Sequence, residues 1–265
     1  MSPPAESSKR PVIAITGASK GLGAALAVAY AEEPCSLYLC ARDRPGLDGV
    51  AAACEQRNAD THTTRVDVTD PEQLDHWAAT VGQQGPPDLI IANAGVFFGH
   101  AKDRMETPDE IKTQVETNLL AAINTVNSFL PDLIQRRRGH VVLVSSLAAV
   151  FPLADAPAYS ASKAGLLAYA RAMREYLAEY NIRVSVVLPG HIRSAQTDKH
   201  RGDLSGIMSP QQAAGIIRKQ LDKGRFLIAF PATTYALIRL SAVLPWWVIA
   251  WLNRSKRFYV EQRES

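Results

Sequence analysis

Cysteine is scarce in this 265-residue chain, with three residues at Cys35, Cys40 and Cys54. None follows a CxxC or zinc-ligand spacing, which argues against a dithiol redox centre or a structural metal. Cys40 falls in a strand and reads as core. Three thiols without a pairing framework suit a reducing compartment, so a cytoplasmic protein is expected. His100 and His200 have no metal-ligand partners at useful spacing, and no metal is expected. A net charge of +3 is too small to argue for nucleic acid. Met1 to Arg10 lacks the apolar core of a secretory signal and reads as a disordered tail. There is no internal repeat and no low-complexity linker. Long apolar runs are also missing until the end, where Arg239 is the one charge between Phe226 and Leu252.

What is present is alternation. Short aliphatic runs read as strands at Val12–Ile15, Leu37–Ala41, Thr64–Val66, Leu89–Ala92, Val141–Val144, Val184–Leu188 and Phe226–Phe230. Between them lie helical patterns with clear starts. Asp70 precedes Pro71, and Thr107 and Ser209 precede Pro108 and Pro210 with capping-box spacing to Glu110 and Gln212. Gly224 stands where a helix ends, after Lys223. The runs are apolar on both faces, as parallel strands covered by helices require. The expected fold is a doubly wound, Rossmann-type sheet of seven parallel strands, spanning residues 11–231 as one domain with residues 232–265 as an extension. Such sheets bind ligands beyond the carboxyl ends of their strands.

The first strand runs into Thr16-Gly17-Ala18-Ser19-Lys20-Gly21-Leu22-Gly23 and then an alanine-rich helix. Glycines let the backbone approach a pyrophosphate, and the helix start supplies free N–H donors. The spacing is TGxxxGxG, not GxGxxG, and a tight turn without a ligand is the plainer alternative; strand before and helix after favour the ligand. Ala41 ends the second strand, where an NAD enzyme usually has a carboxylate for the ribose 2′-hydroxyl. Nothing there repels a 2′-phosphate, and Lys20 and Arg42 are placed to bind one. The plainer alternative is two solvated surface charges.

Tyr159 and Lys163 lie four apart at the start of a helical pattern that continues to Tyr180 and share its face. A free tyrosine, with a pKa of about 10, is a poor acid or base at neutral pH. A nearby ammonium lowers that value, giving a proton donor–acceptor tuned toward neutrality. An aromatic on a core face with a snorkelling lysine is the bland alternative. Ser146 sits at the end of the run Val141–Val144 and its two serines, where it could donate to a carbonyl oxygen gaining charge. Ser145 or Ser146 could equally cap the strand exit.

Together these residues resemble the classical short-chain dehydrogenase/reductase family, over about Val12 to Phe230. TGASKGLG matches the family's glycine motif, Asn93-Ala94-Gly95 its NAG motif, and Pro189-Gly190-His191-Ile192 the loop that closes on the nicotinamide. Asn118, Ser146, Tyr159 and Lys163 match its catalytic tetrad, with Ser146 thirteen residues before Tyr159. Departures are Ala92, where an asparagine often precedes NAG, and Ser194, where threonine is usual.

The resemblance implies an NADP(H)-dependent oxidoreductase interconverting a carbonyl and an alcohol. Gly17, Ser19, Lys20, Gly21, Leu22, Gly23, Arg42, Asp67, Val68, Asn93, Ala94, Gly95, Tyr159, Lys163, Pro189, Gly190, Ile192 and Ser194 would hold the cofactor, with Asp67 at the adenine. Tyr159 would protonate the carbonyl oxygen. Lys163 would lower the tyrosine pKa and bind the nicotinamide ribose. Ser146 would hold the substrate oxygen, and Asn118 would order a water relaying protons to Lys163. Val96, Leu147, Phe151 and His191 are the candidate substrate contacts, and the polar stretch Ala195–Met208 reads as a lid. A lipophilic carbonyl substrate is favoured. The alternatives are a sugar or cell-envelope intermediate, or a non-catalytic NADP-binding sensor.

Two further expectations concern assembly and the chain end. The helices near Asp109–Gln135 and Ala158–Tyr180 resemble those that pair family subunits, and the row Leu119, Ile123, Val126 and Leu130 suggests a homodimer. Leu240–Leu252, with Trp246, Trp247 and Trp251, is too short to cross a hydrocarbon core of about 30 Å. It either packs on protein near the pocket or lies in a membrane interface as an amphipathic tail.

Overall fold

A computed structural model describes residues 10–99, 105–193, 200–201, 207–241, 248 and 259–260. The chain order is β1 (Val12–Thr16), α1 (Gly21–Tyr30), β2 (Cys35–Ala41), α2 (Arg44–Glu55), β3 (Ala59–Arg65), α3 (Pro71–Gly82), β4 (Leu89–Ala92), α4 (Pro108–Val115), a π-turn (Glu116–Leu120) and α5 (Ala121–Arg136). It continues with β5 (Gly139–Val144), a short 3-10 turn (Leu147–Ala149), α6 (Pro157–Ala178), β6 (Ile182–Pro189), α7 (Pro210–Asp222), β7 (Leu227–Phe230) and α8 (Ala232–Ser241). A two-residue ladder also pairs His200–Arg201 with Tyr259–Val260.

The seven strands form one parallel sheet in the order β3-β2-β1-β4-β5-β6-β7. Alternation along β1 explains the two layers of helices. Val12 and Ala14 face a cluster with Trp77 of α3, Phe129 of α5 and Leu166 of α6. Ile13 and Ile15 face the opposite cluster, with Leu26 of α1, Leu47 of α2 and Ile217 of α7. Apolar side chains on both faces make the sheet the interior of a three-layer sandwich. Strand order reverses direction beside β1, between β1 and β4. The crevice at their carboxyl ends is therefore the expected ligand site.

The helix starts follow their sequence signals. Asp70 accepts from the amides of Glu72 and Gln73, while Thr107 and Ser209 form capping boxes with Glu110 and Gln212. The Gly224 amide donates to Leu221, just past the α7 cap at Lys223. The cysteines are unpaired and buried, and burial pushes Cys35 and Cys54 up to about 11.

Three expectations need correction. β3 runs over Ala59–Arg65, not Thr64–Val66, because this edge strand has a wetted, polar face and shows no apolar run. The long helix near Asp109–Gln135 is interrupted by the π-turn, closed by the Ala121 amide on the Glu116 carbonyl. The apolar row running from the π-turn into α5 is also not free: Val126 is buried, and Leu119 and Leu130 pack against the core.

Candidate active site

The glycine turn is shaped by contact with the loop after β4. Gly17 has φ +66°, and a Cβ there would lie 2.7 Å from the Ala94 Cα. A Cβ on Gly23 would come 2.3 Å from the Gly17 carbonyl oxygen and 2.6 Å from Asn93 Nδ2. Only glycine fits either place. Thr16 Oγ1 accepts from the Asn93 and Ala94 amides, and Asn93 Nδ2 donates to the Thr16 and Gly17 carbonyls at 2.9 and 3.2 Å. The NAG segment is thus a strap holding the turn. Lys20 is the α1 cap residue and gives no side-chain hydrogen bond, and the first helical turn has no acid. The cradle, with Ser19, Gly21 and Leu22 around it, fits a pyrophosphate.

At the end of β2 the chain offers Ala41 and then Arg42. The next carboxylate, Asp43, is occupied in capping α2 through the Gly46 amide. Arg42 reaches within 3.8 Å of Asp67, and Arg65 Nε donates to the Arg42 carbonyl. Burial pushes the Asp67 carboxyl up, but hydrogen bonds from Thr69 and the Arg42 charge hold it below its ordinary value. Val68 turns its side chain into the core. Arg65 was not among the sequence candidates. Its register with Ala41 across β2 and β3 is what brings it here.

The proton-transfer residues converge beside this strap. Ser146, just past the carboxyl end of β5, accepts from the Ala148 amide at 3.1 Å, and its hydroxyl favours the ionised form of Tyr159. Lys163 is 4% exposed. Its Nζ donates to the Val144 carbonyl at 3.0 Å and stands 5.8 Å from the Tyr159 ring centre. A Cβ on Gly95 would lie 3.5 Å from that Nζ and 3.0 Å from Asn118 Oδ1. Asn118 is 0% exposed and sits in the π-turn, a feature frequent at functional sites. Its amide spans the Val96 backbone, accepting from the N–H and donating to the carbonyl at 2.8 Å each. Ser145 donates to the Lys163 carbonyl, which separates the two serines: one anchors α6, the other faces the site.

Burial dominates the electrostatics of both groups. Burial holds the Tyr159 phenol above its ordinary value, partly offset by the Ser146 hydrogen bond. Burial likewise pulls Lys163 down to about 8. Desolvation disfavours the charged form of each group.

Phe97 meets the Tyr159 ring edge-on, with ring centres 4.8 Å apart. Leu147 is buried beneath Gly190, while Val96 and Phe151 are half-buried. The Pro189–Ile192 loop is pinned by the Gly190 amide on the Phe230 carbonyl and by the Met208 amide on His191. His191 keeps an exposed face, but surrounding protein desolvates its ring and lowers its pKa. Ser194 and most of the Ala195–Met208 stretch lie outside the described residues. Two buried side chains were not sequence candidates, Glu106 and Gln114. Gln114 lies one helical turn before Asn118 and accepts from the Phe98 amide.

The chain resembles known proteins in sequence and fold. The chain is similar to a ketoacyl reductase, HetN, of Nostoc sp. (strain PCC 7120), at 32% identity over 79% of this chain and 74% of that protein. It is also 32% identical to a 1-deoxy-11-beta-hydroxypentalenate dehydrogenase of Streptomyces exfoliatus, over 81% of this chain and 80% of the relative. A metagenomic short-chain oxidoreductase solved in complex with NADP superposes with a TM-score of 0.70 at 29% identity, over 83% of this chain and 94% of the other. The model of the short chain dehydrogenase family matches residues 11–204, and the chain belongs to that family of oxidoreductases.

Proposed function

We propose that the protein is an NADP(H)-dependent reductase of a lipophilic carbonyl compound, with Tyr159 as proton donor. The observation carrying this reading is the convergence of Ser146, Tyr159 and the buried Lys163, whose Nζ donates to the Val144 carbonyl at the strand end that presents Ser146 and stands 5.8 Å from the Tyr159 ring centre. When bound, the nicotinamide supplies the hydride. Tyr159 holds its proton at neutral pH, and burial, by disfavouring the phenolate, keeps it there until the substrate oxygen gains charge. That proton passes from Tyr159 Oη to the substrate oxygen as the oxygen gains charge. Ser146 Oγ shares the same oxygen, and the Lys163 ammonium stabilises the phenolate left behind. Asn118 holds the Val96 backbone, and Phe97 excludes water from the tyrosine ring face.

NADP(H) is preferred on this reading because β2 ends without a free carboxylate and with Arg42, near Lys20 in the glycine turn. The metagenomic neighbour solved with NADP supports the choice. The lipophilic substrate rests on the apolar residues that follow the carboxyl ends of β4 and β5, Val96, Phe97, Leu147 and Phe151, and a ketoacyl reductase among the relatives agrees. The test is oxidation of NADPH and NADH by purified protein with a panel of alkyl, acyl and bicyclic ketones. Turnover with NADPH on apolar ketones is expected, and none with sugars.

Two assembly readings accompany the catalytic one. A homodimer through the α4–α6 face is supported by the exposed apolar side chains of Ile111, Leu120 and Tyr176. Contact of the chain end with a membrane interface is supported by α8, whose Leu237 and Leu240 are 68% and 66% exposed beside Arg239. No helix among the described residues is long and apolar enough to cross a membrane.

A further inference from the structure

Helix α6 carries Tyr159 and Lys163 through 22 residues, yet its own cap is empty. Ala156 at the cap position gives no side-chain hydrogen bond, and the first turn has no acid. A helix start buried beside a reacting group needs another acceptor for its free N–H groups. Glu106, 52 residues away, provides it: its Oε2 accepts from the Ala158 amide at 3.0 Å. The other oxygen, Oε1, accepts from Gln114 Nε2 at 2.8 Å. Gln114, fully buried, uses its own Oε1 to accept from the Phe98 amide at 2.9 Å. One turn on, Asn118 grips Val96 in the same manner. The loop after β4 is therefore zipped to α4 and the π-turn by two amide side chains, and Glu106 ties that zipper to the residue preceding Tyr159.

Glu106 is 7% exposed. Burying a carboxylate is costly, and a neutral cap would serve a merely structural helix start. What the carboxylate adds is two acceptors facing two donors, with no freedom in which way round they pair. We propose that Glu106 is a positioning residue for the reaction: through Ala158 and Gln114 it fixes the Tyr159 hydroxyl relative to the loop of Val96, Phe97 and Phe98. This inference rests on the reading of Tyr159 as proton donor.

Hydrogen-bond polarity makes the inference testable. In Glu106→Gln one of the two acceptors becomes a donor. Either the Ala158 amide or, after Gln114 turns over, the Phe98 amide then faces another donor. The double variant Glu106→Gln with Gln114→Glu restores every bond: Glu at 114 accepts from Phe98 and from Gln at 106, whose carbonyl accepts from Ala158. Both variants and Tyr159→Phe are assayed with NADPH and the best ketone of the panel, alongside NADPH binding by fluorescence, melting temperature, and amide hydrogen exchange over residues 157–162.

Misplacing a reacting group by about 1 Å can cost on the order of 10²-fold, so Glu106→Gln is expected to lose about tenfold or more in kcat. Its NADPH affinity should be unchanged and exchange at 157–162 should be faster. The swapped pair should recover kcat to within about threefold, with exchange restored, since its polar bonds are again complete. The inference is overturned if Glu106→Gln keeps wild-type kcat and exchange. It is equally overturned if the swapped pair stays as slow as the single variant, or fails to fold despite its complete set of bonds. If Tyr159→Phe keeps normal turnover, the proton-donor reading itself falls, whatever Glu106 does.

Discussion

Lys163 gives its buried ammonium to the main-chain carbonyl of Val144 at the end of β5. The lysine is thereby tied to the same strand end that presents Ser146, and its charge is held in a desolvated place. Its pKa of about 8 records what that placement costs. Below pH 8 both folded and unfolded chains carry the proton, and the cost of burying the charge is felt in full. As pH rises from about 8 toward 10.5 the folded chain releases the proton first, and the cost fades. Lys163→Met should therefore raise the melting temperature at pH 7, by an amount set by up to about 3 kcal/mol, while abolishing turnover. The gain should shrink as the pH of the melt is raised above 8. Unchanged or lower stability at pH 7 would show that the Val144 bond outweighs the desolvation.

Cofactor choice turns on the end of β2. Arg42→Ala should weaken 2′,5′-ADP by about 10- to 100-fold, the range of a lost charge-assisted bond, and leave 5′-AMP nearly unchanged. Adding Ala41→Asp should move preference to NAD(H) through repulsion of the phosphate. Calorimetric titration of the two fragments measures this without a substrate. Equal weakening of both would assign Arg42 to the adenine, beside Asp67.

Far from the site, His140 at the amino end of β5 and Ser185 in the middle of β6 form a buried pair. Ser185 Oγ donates to the Arg225 carbonyl, which leaves the His140 ring to donate from Nε2 to Ser185. Burial, with Arg183 nearby, pulls His140 down to about 4 from 6.5. The unfolded chain takes up this proton first as pH falls, so the stability contributed by neutral His140 is whole above 6.5 and lost between 6.5 and 4. His140→Gln keeps a donor for Ser185 and cannot titrate. Its melting temperature should fall less steeply than wild type over that window, a difference of up to about 3 kcal/mol at pH 4. Parallel curves would remove His140 from the acid sensitivity.

The α4–α6 face gives an assembly prediction. Leu120→Glu with Tyr176→Glu should convert a dimer to a monomer by light scattering at micromolar concentration, with little change in melting temperature, because both side chains are exposed in one subunit. A wild-type monomer would contradict the dimer reading.

How much of this was legible in the sequence follows from the physics of each element. β1 and β5 are buried on both faces, so VIAIT and GHVVLV stand out as apolar runs. β3 does not, because ADTHTTR lies at an edge and keeps polar side chains toward water. Caps at Asp70, Thr107 and Ser209 were readable because they are local, each side chain bonding within three residues. The π-turn was not, since one extra residue between hydrogen-bonded groups leaves no mark in composition. Tyr159, Lys163 and Ser146 could be named from spacing and strand ends. Glu106 could not be tied to them, because its bond to Ala158 crosses 52 residues of chain. Arg65 reached Arg42 only through the register of a strand whose bounds the sequence hid.

The central claim is that Tyr159 donates the proton, and one substitution tests it most directly. Tyr159→Phe keeps the ring against Phe97 and removes only the hydroxyl. Its kcat for NADPH-dependent ketone reduction should fall by about 10² to 10⁴, while NADPH binds as tightly as to wild type. A variant that binds NADPH and reduces the ketone at near wild-type kcat would contradict the account.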